Sequence, residues 1–182
     1  MQWRIALSWM SGYFIFFVMT PISFKYFGSV FAGKLGMSLT LCNMIMATGL
    51  AWISTKYPKW GRMISLGERQ QLNDSYRSSM LQSTGFVVLC MLTATCGLIL
   101  LNYIGFSFAS RFLAPQYFAI LALSIIGTHL VACMATYIRA HKVEKMTWVS
   151  MMMAIITTVL MSGVAMLQYE NWFIPTYCII VW

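Results

Sequence analysis

Acidic residues are almost missing from this chain: Glu68, Asp74, Glu144 and Glu170 stand against 12 Lys and Arg in 182 residues. Charge of either sign is scarce, at 9%, where a soluble domain of ordinary composition carries roughly 25%. With 60% hydrophobic residues, 16 Met, 15% aromatics and a mean hydropathy of +0.74, the composition excludes a water-soluble globular class. No Asp or Glu falls inside an apolar run, so the intramembrane carboxylate expected of a proton- or sodium-coupled carrier is missing. No CxxC or Cys/His spacing occurs. Cys42, Cys90, Cys96, Cys133 and Cys178 all lie within apolar runs and read as small buried hydrophobes, not as disulfides or metal ligands. A nucleophile–base set, a phosphate loop and a metal motif are equally absent, so no enzyme, cofactor or metal is expected.

What the chain does have is apolar length. Runs long enough for a bilayer, about 17–25 residues each, are read at 5–24, 27–55, 79–103, 115–138 and 146–167, with a sixth, partial run at 172–182. That last run would make a helix of about 16 Å, half of a hydrocarbon core of about 30 Å. Barrel strands would alternate apolar and polar over about ten residues; these runs do not. The expected fold is therefore all-α: one polytopic membrane helical bundle of five transmembrane helices plus a truncated sixth. The start Met1–Arg4 is only thinly basic, and the run behind it is too long for a signal-peptide core and lacks a small-residue exit. The first span is expected to stay as an anchor.

The net charge of +8 is spread by side, which speaks for topology and against a nucleic-acid partner. Arg4, Lys56, Lys59, Arg62, Arg69, Arg77, Arg139, Lys142 and Lys145 share one side; Lys25, Arg111 and Lys34 take the other. That bias makes the first side cytoplasmic, with the N-terminus on it. Trp3, Trp52, Trp60, Trp148 and Trp172 near span ends fit an interfacial belt. The basic segment 56–78 is expected as a cytoplasmic loop. Within and just after it Leu72, Tyr76 and Met80 repeat every four residues, so it reads either as an amphipathic helix feeding the third span or as a solvated connector.

Few polar groups lie at depth. On a helical wheel Gly28, Ala32 and Gly36 form a small-residue ridge with Asn43 close by, a seam for helix contact. Lys34 falls nearly opposite, on a mostly apolar face with Ser38 beside it. Its side chain leans toward the near surface and either snorkels out or lines a cavity as a working cation. His129, in the fourth run, shares a stripe with Cys133 and Thr136, flanked by Ser124 and Thr128. It reads as a hydrogen-bonded packing residue or as part of a polar path. Ser150, Ala154, Thr157 and Met161 form a weaker stripe in the fifth run.

The segments RIALSWMSGYF (4–14), TPISFKYFG (20–28), AGKLGMSL (32–39), LAWISTKYP (50–58) and YIRAHKVEK (137–145), in this order, resemble the second half of the bacterial polysaccharide flippases. These are O-antigen-type members of the multidrug/oligosaccharidyl-lipid/polysaccharide exporter superfamily. The resemblance implies a two-lobed bundle working by alternating access. Its substrate would be an oligosaccharide on undecaprenyl pyrophosphate, moved across the bacterial inner membrane for surface polysaccharide or lipopolysaccharide synthesis. It also implies cavity cations that meet the pyrophosphate, with Lys34 first, then Ser38, His129, Lys25 and Arg111 as further substrate-binding candidates. One lobe cannot alternate against itself, so the expected partners are membrane lipid, the lipid-linked oligosaccharide, and a missing N-terminal lobe or a second copy of this chain. The competing expectation is a non-transporting scaffold subunit of a polysaccharide assembly complex, in which Lys34 is dispensable and the basic loop carries the function.

Overall fold

The computed structural model describes residues 17–141 and 146–181. The described residues are all-helical: α1 (Met19–Phe27), α2 (Ser29–Ser54), α3 (Tyr57–Leu66), α4 (Arg69–Tyr103), a 3-10 turn (Ser107–Arg111), α5 (Pro115–Ala140), α6 (Met146–Met166) and α7 (Glu170–Val181). Four stretches are long and apolar enough to cross a membrane: Ser29–Leu66, Arg69–Tyr103, Pro115–Ala140 and Trp148–Met166. The chain is thus a multi-pass helical membrane bundle. Large apolar side chains such as Leu89, Leu92, Met152 and Val159 stand on its outer surface, where lipid is their natural solvent.

The count of five spans is not reproduced among the described residues, because 5–16 of the expected first span lie outside them. Its described end, α1, runs on through Lys25 and Tyr26 to Phe27 and stops at Gly28, not at Phe24. The reason is local: a cation in the last turn of a helix is favourable at its negative end, so Lys25 does not break α1. Gly28 does, at φ 86°, a backbone region that costs glycine little. Gly28 therefore sits between helices and is not part of the seam on α2. Of that seam, Ala32 is buried and Gly36 faces α1, where a Cβ added to it would lie 3.8 Å from Thr20 Cγ2.

Of the two readings of 56–78, the helix is the one seen. α3 starts with Pro58 in its first turn, where the missing N–H is harmless, and ends at Gly67 with φ 75°. The chain then enters α4, whose 35 residues carry the polar stretch and the third span on one axis. The Leu72–Tyr76–Met80 stripe packs on Ile53, Trp60, Cys133 and Ala140 in a small core of its own. Trp60 is fully buried there, which removes it from the interfacial belt; Trp52, Trp148 and Trp172 remain exposed.

α5 is the central helix. It packs on α2 and α4 along one side and on α7 on the other, and its Phe118, Leu121, Ala122 and Ile125 lie in the main core with Leu35, Leu39, Cys42, Val87, Met91, Phe173 and Tyr177. The expected face of α6 is seen, with Ala154, Thr157 and Met161 buried and Ser150 half-buried. α7, with 12 residues and Pro175 inside, extends about 18 Å.

Bonds between distant residues define the two ends. At one end Tyr57 Oη donates to the Arg139 carbonyl (2.9 Å), Trp60 Nε1 to Ser75 Oγ (3.2 Å) and Tyr137 Oη to Asn73 Oδ1 (2.8 Å). This end carries Lys56, Lys59, Arg62, Arg69, Arg77 and Arg139. At the other end Leu113 N donates to Ser38 Oγ (3.1 Å) and Tyr117 Oη to Asn171 Oδ1 (2.8 Å).

Candidate functional site

The end away from the basic helices holds a cleft of about 280 Å³, lined by Lys34, Leu98, Asn102, Ala109, Ser110, Phe112, Leu113, Ala114 and Pro115. Its walls come from the first turns of α2, the last turns of α4, the 3-10 turn and the start of α5. The volume is at the small end for ligand pockets, about 300–1,000 Å³, and suits a compact polar group. Lys34 is half-buried and is the charged residue among those that line the cleft. The wheel face that looks mostly apolar in sequence is thus turned toward the 98–115 segment.

The chemistry on offer is donor-rich. The Lys34 ammonium brings three donors and the Asn102 carboxamide two more. The Ser110 hydroxyl gives its hydrogen to the Ser107 carbonyl at 2.6 Å and keeps its lone pairs. An anion meeting Lys34 here would trade part of its hydration for charge-assisted hydrogen bonds, which are shorter and stronger than neutral ones.

Ser38 sits one turn further along α2 and is buried. Its Oγ accepts the Leu113 N–H at 3.1 Å, which fixes the loop that roofs the cleft onto α2. Lys25 and Arg111 belong to the same end but do not line the cleft. Both are exposed: the Lys25 ammonium lies 5.2 Å from the Tyr26 ring centroid and the Arg111 guanidinium 5.9 Å from that of Phe108. Structure therefore sets Ser38 behind the segment that roofs the Lys34 cleft and leaves Lys25 and Arg111 outside its lining.

His129 is elsewhere, at the crossing of α2, α4 and α5. Nε2 lies 3.0 Å from Ser83 Oγ and 3.4 Å from Cys133 Sγ, and Ser83 Oγ donates to the Gly49 carbonyl at 2.7 Å. The stripe expected around it resolves differently. Thr128, Thr136 and Ser124 turn their hydroxyls back to carbonyls of α5 itself, the usual outlet for such side chains within a helix. Only His129 and Cys133 of that stripe take part in the cluster.

Sequence reading missed Asn102 and Ser110, whose proximity to Lys34 depends on how α4 and the 3-10 turn return to α2. It also missed Gly49. A Cβ there would run into Val87 Cγ2 and come within 2.9 Å of His129 Cε1. A signal existed: Ser79 and Ser83, both buried, make a small-residue pair at i, i+4 on α4.

No group of three or more His, Cys, Asp or Glu that could hold a metal occurs among the described residues. In comparisons with protein-family models, curated proteins and solved structures the chain matches none.

Proposed function

We propose that this chain is one lobe of a flippase that moves an undecaprenyl-pyrophosphate-linked oligosaccharide across the bacterial inner membrane, for surface polysaccharide or lipopolysaccharide synthesis. The reading rests on the resemblance of its ordered segments to the polysaccharide flippases. The single structural observation that supports it is the half-buried Lys34 lining a polar cleft with Asn102 and Ser110. A pyrophosphate head group is compact, anionic and in need of a partly desolvated cation, and Lys34 is positioned to supply one. The lobe works against a second lobe, either an N-terminal one or another copy of the chain, with the basic end cytoplasmic by the positive-inside rule.

The test is export of surface polysaccharide by the complete protein carrying Lys34→Ala or Lys34→Glu. Both variants insert at normal level and lose export. Normal export in both would remove Lys34 from the site and with it the structural support for the reading.

The α3–α4 hairpin favours a second reading. Its buried core, with Trp60, Tyr76 and Tyr137 rings in mutual contact, presents a firm basic surface suited to a scaffold subunit of an assembly complex. That reading expects export to survive at Lys34 and to fail when Lys59 and Arg62 are both made Gln.

A further inference from the structure

A groove of about 590 Å³ runs along the outside of the bundle between α2 and α4, lined by Thr48, Trp52, Gln82, Ser83 and Phe86. Its rims are two pairs of side chains one turn apart, Thr48 with Trp52 and Gln82 with Phe86. Trp52 and Phe86 are 54% and 45% exposed, so the groove opens sideways, to the lipid. Its polar floor and rim are already engaged: Ser83 Oγ donates to the Gly49 carbonyl and meets His129, and Thr48 Oγ1 donates to the Met44 carbonyl at 2.9 Å. What remains is an apolar channel with the exposed carboxamide of Gln82 partway along it.

A cation stands next to Trp52, just outside the lining of the groove. Lys56 follows Trp52 by one turn, and its ammonium lies 5.9 Å from the Trp52 ring centroid. No carboxylate among the described residues pairs with it. Lys59 and Arg62 lie exposed just beyond, on α3, and the described residues of this end carry Lys56, Lys59, Arg62, Arg69, Arg77 and Arg139 against Glu68 and Asp74. Lys56 and Thr48 are separated by about 12 Å along a helical axis. That is the depth over which a phospholipid passes from phosphate to acyl chain, with an indole at the level where Trp residues settle.

We propose that this groove is a selective site for an anionic phospholipid of the leaflet that meets the basic end. Lys56 contacts the phosphate, Trp52 lies at the level of the ester region, and Phe86, deeper in the groove, flanks one acyl chain. A zwitterionic headgroup sets its own ammonium against Lys56 and is disfavoured there. The site is separate from the Lys34 cleft and does not depend on a transport role.

The test uses the full chain in nanodiscs containing equal phosphatidylglycerol and phosphatidylcholine of identical acyl chains, with retained lipid counted by native mass spectrometry. The unaltered chain keeps one phosphatidylglycerol in preference to phosphatidylcholine. Lys56→Gln lowers that preference about fivefold, the effect of one basic residue at an anionic surface, while Lys56→Arg keeps it. Thr48→Trp, which fills the groove on its exposed side, lowers phosphatidylglycerol retention with Lys56 in place. An unchanged preference in Lys56→Gln overturns the site. So does an equal loss in Arg62→Gln, because the charge of the whole end would then act without the groove.

Discussion

His129 Nε2 and Ser83 Oγ lie 3.0 Å apart where α2, α4 and α5 cross, with both residues almost wholly buried. The Ser83 hydroxyl has one hydrogen and directs it to the Gly49 carbonyl at 2.7 Å. The imidazole must then carry its hydrogen on Nε2 and donate it to Ser83, which leaves Nδ1 as a bare lone pair. Nδ1 is buried and has no hydrogen-bond partner among the described residues. Such an arrangement ties α5 to α4 and α2; among the described residues nothing meets Nδ1, the second contact that a proton relay through the ring would need.

His129→Gln is therefore expected to keep the donor to Ser83 and, on the flippase reading proposed above, to leave export intact. His129→Leu removes the cross-helix bond and should lower stability by about 0.6–1.7 kcal/mol, the range for such bonds in bilayers. Unfolding midpoints in mixed micelles and surface polysaccharide levels read the two effects separately. Loss of export in a normally inserted His129→Gln protein would give the imidazole a chemical role.

Gly49 should be far harder to replace than Gly33 of the same helix. A methyl group there collides with Val87 and crowds His129 against the Ser83 contact, an overpacking that costs about 1–3 kcal/mol. Gly33, in the same helix, has open space around its Cβ position. Gly33→Ala is expected to be neutral or to stabilise by up to about 1 kcal/mol. Equal losses in the two variants would contradict the close approach of α2 and α4.

Trp60 and Trp148 form a second contrasting pair. Trp60 is fully buried and bonded to Ser75, whereas Trp148 is 66% exposed. Trp60→Ala should cost about 3–5 kcal/mol and loosen the α3–α4 hairpin, seen as faster amide exchange across 57–80. Trp148→Ala should change neither quantity measurably. Tolerance of Trp60→Ala would mean that α3 is not docked on the bundle.

How much of this was legible in the sequence follows from what each signal measures. Apolar run length placed α2, the membrane part of α4, α5 and α6, because a bilayer demands that length whatever the neighbours are. It misplaced the first turn, since charge marks where a run ends while the backbone turns where Gly28 allows a positive φ. Run length left 56–78 open between a connector and an amphipathic helix, because a helix need not stop where the hydrocarbon does; α4 continues through Arg69–Ser78 on the strength of Leu72 and Tyr76 packing. The wheel set Lys34 on its meridian correctly enough to pose the question of its surroundings. It could not show Asn102 and Ser110 opposite, because those positions depend on tertiary return.

Ser38 and Leu113 offer the sharpest separation of structure from chemistry at the cleft. The Leu113 N–H is buried and its acceptor is the Ser38 hydroxyl; Ser38→Ala leaves that donor without a partner, at a cost of about 1–3 kcal/mol. The loss falls on the 107–114 segment, so amide exchange there should rise while exchange in the central part of α5 stays unchanged. Ser38→Thr keeps the hydroxyl and should restore protection wherever the extra methyl is accommodated. Export by the complete protein then distinguishes two roles. If Ser38 acts by positioning the cleft roof, export falls in proportion to the loss of protection and recovers in Ser38→Thr. If Ser38→Ala stops export while the 107–114 amides remain protected, the hydroxyl touches the cargo of the proposed transport, and Ser38 joins Lys34 as a candidate binding residue.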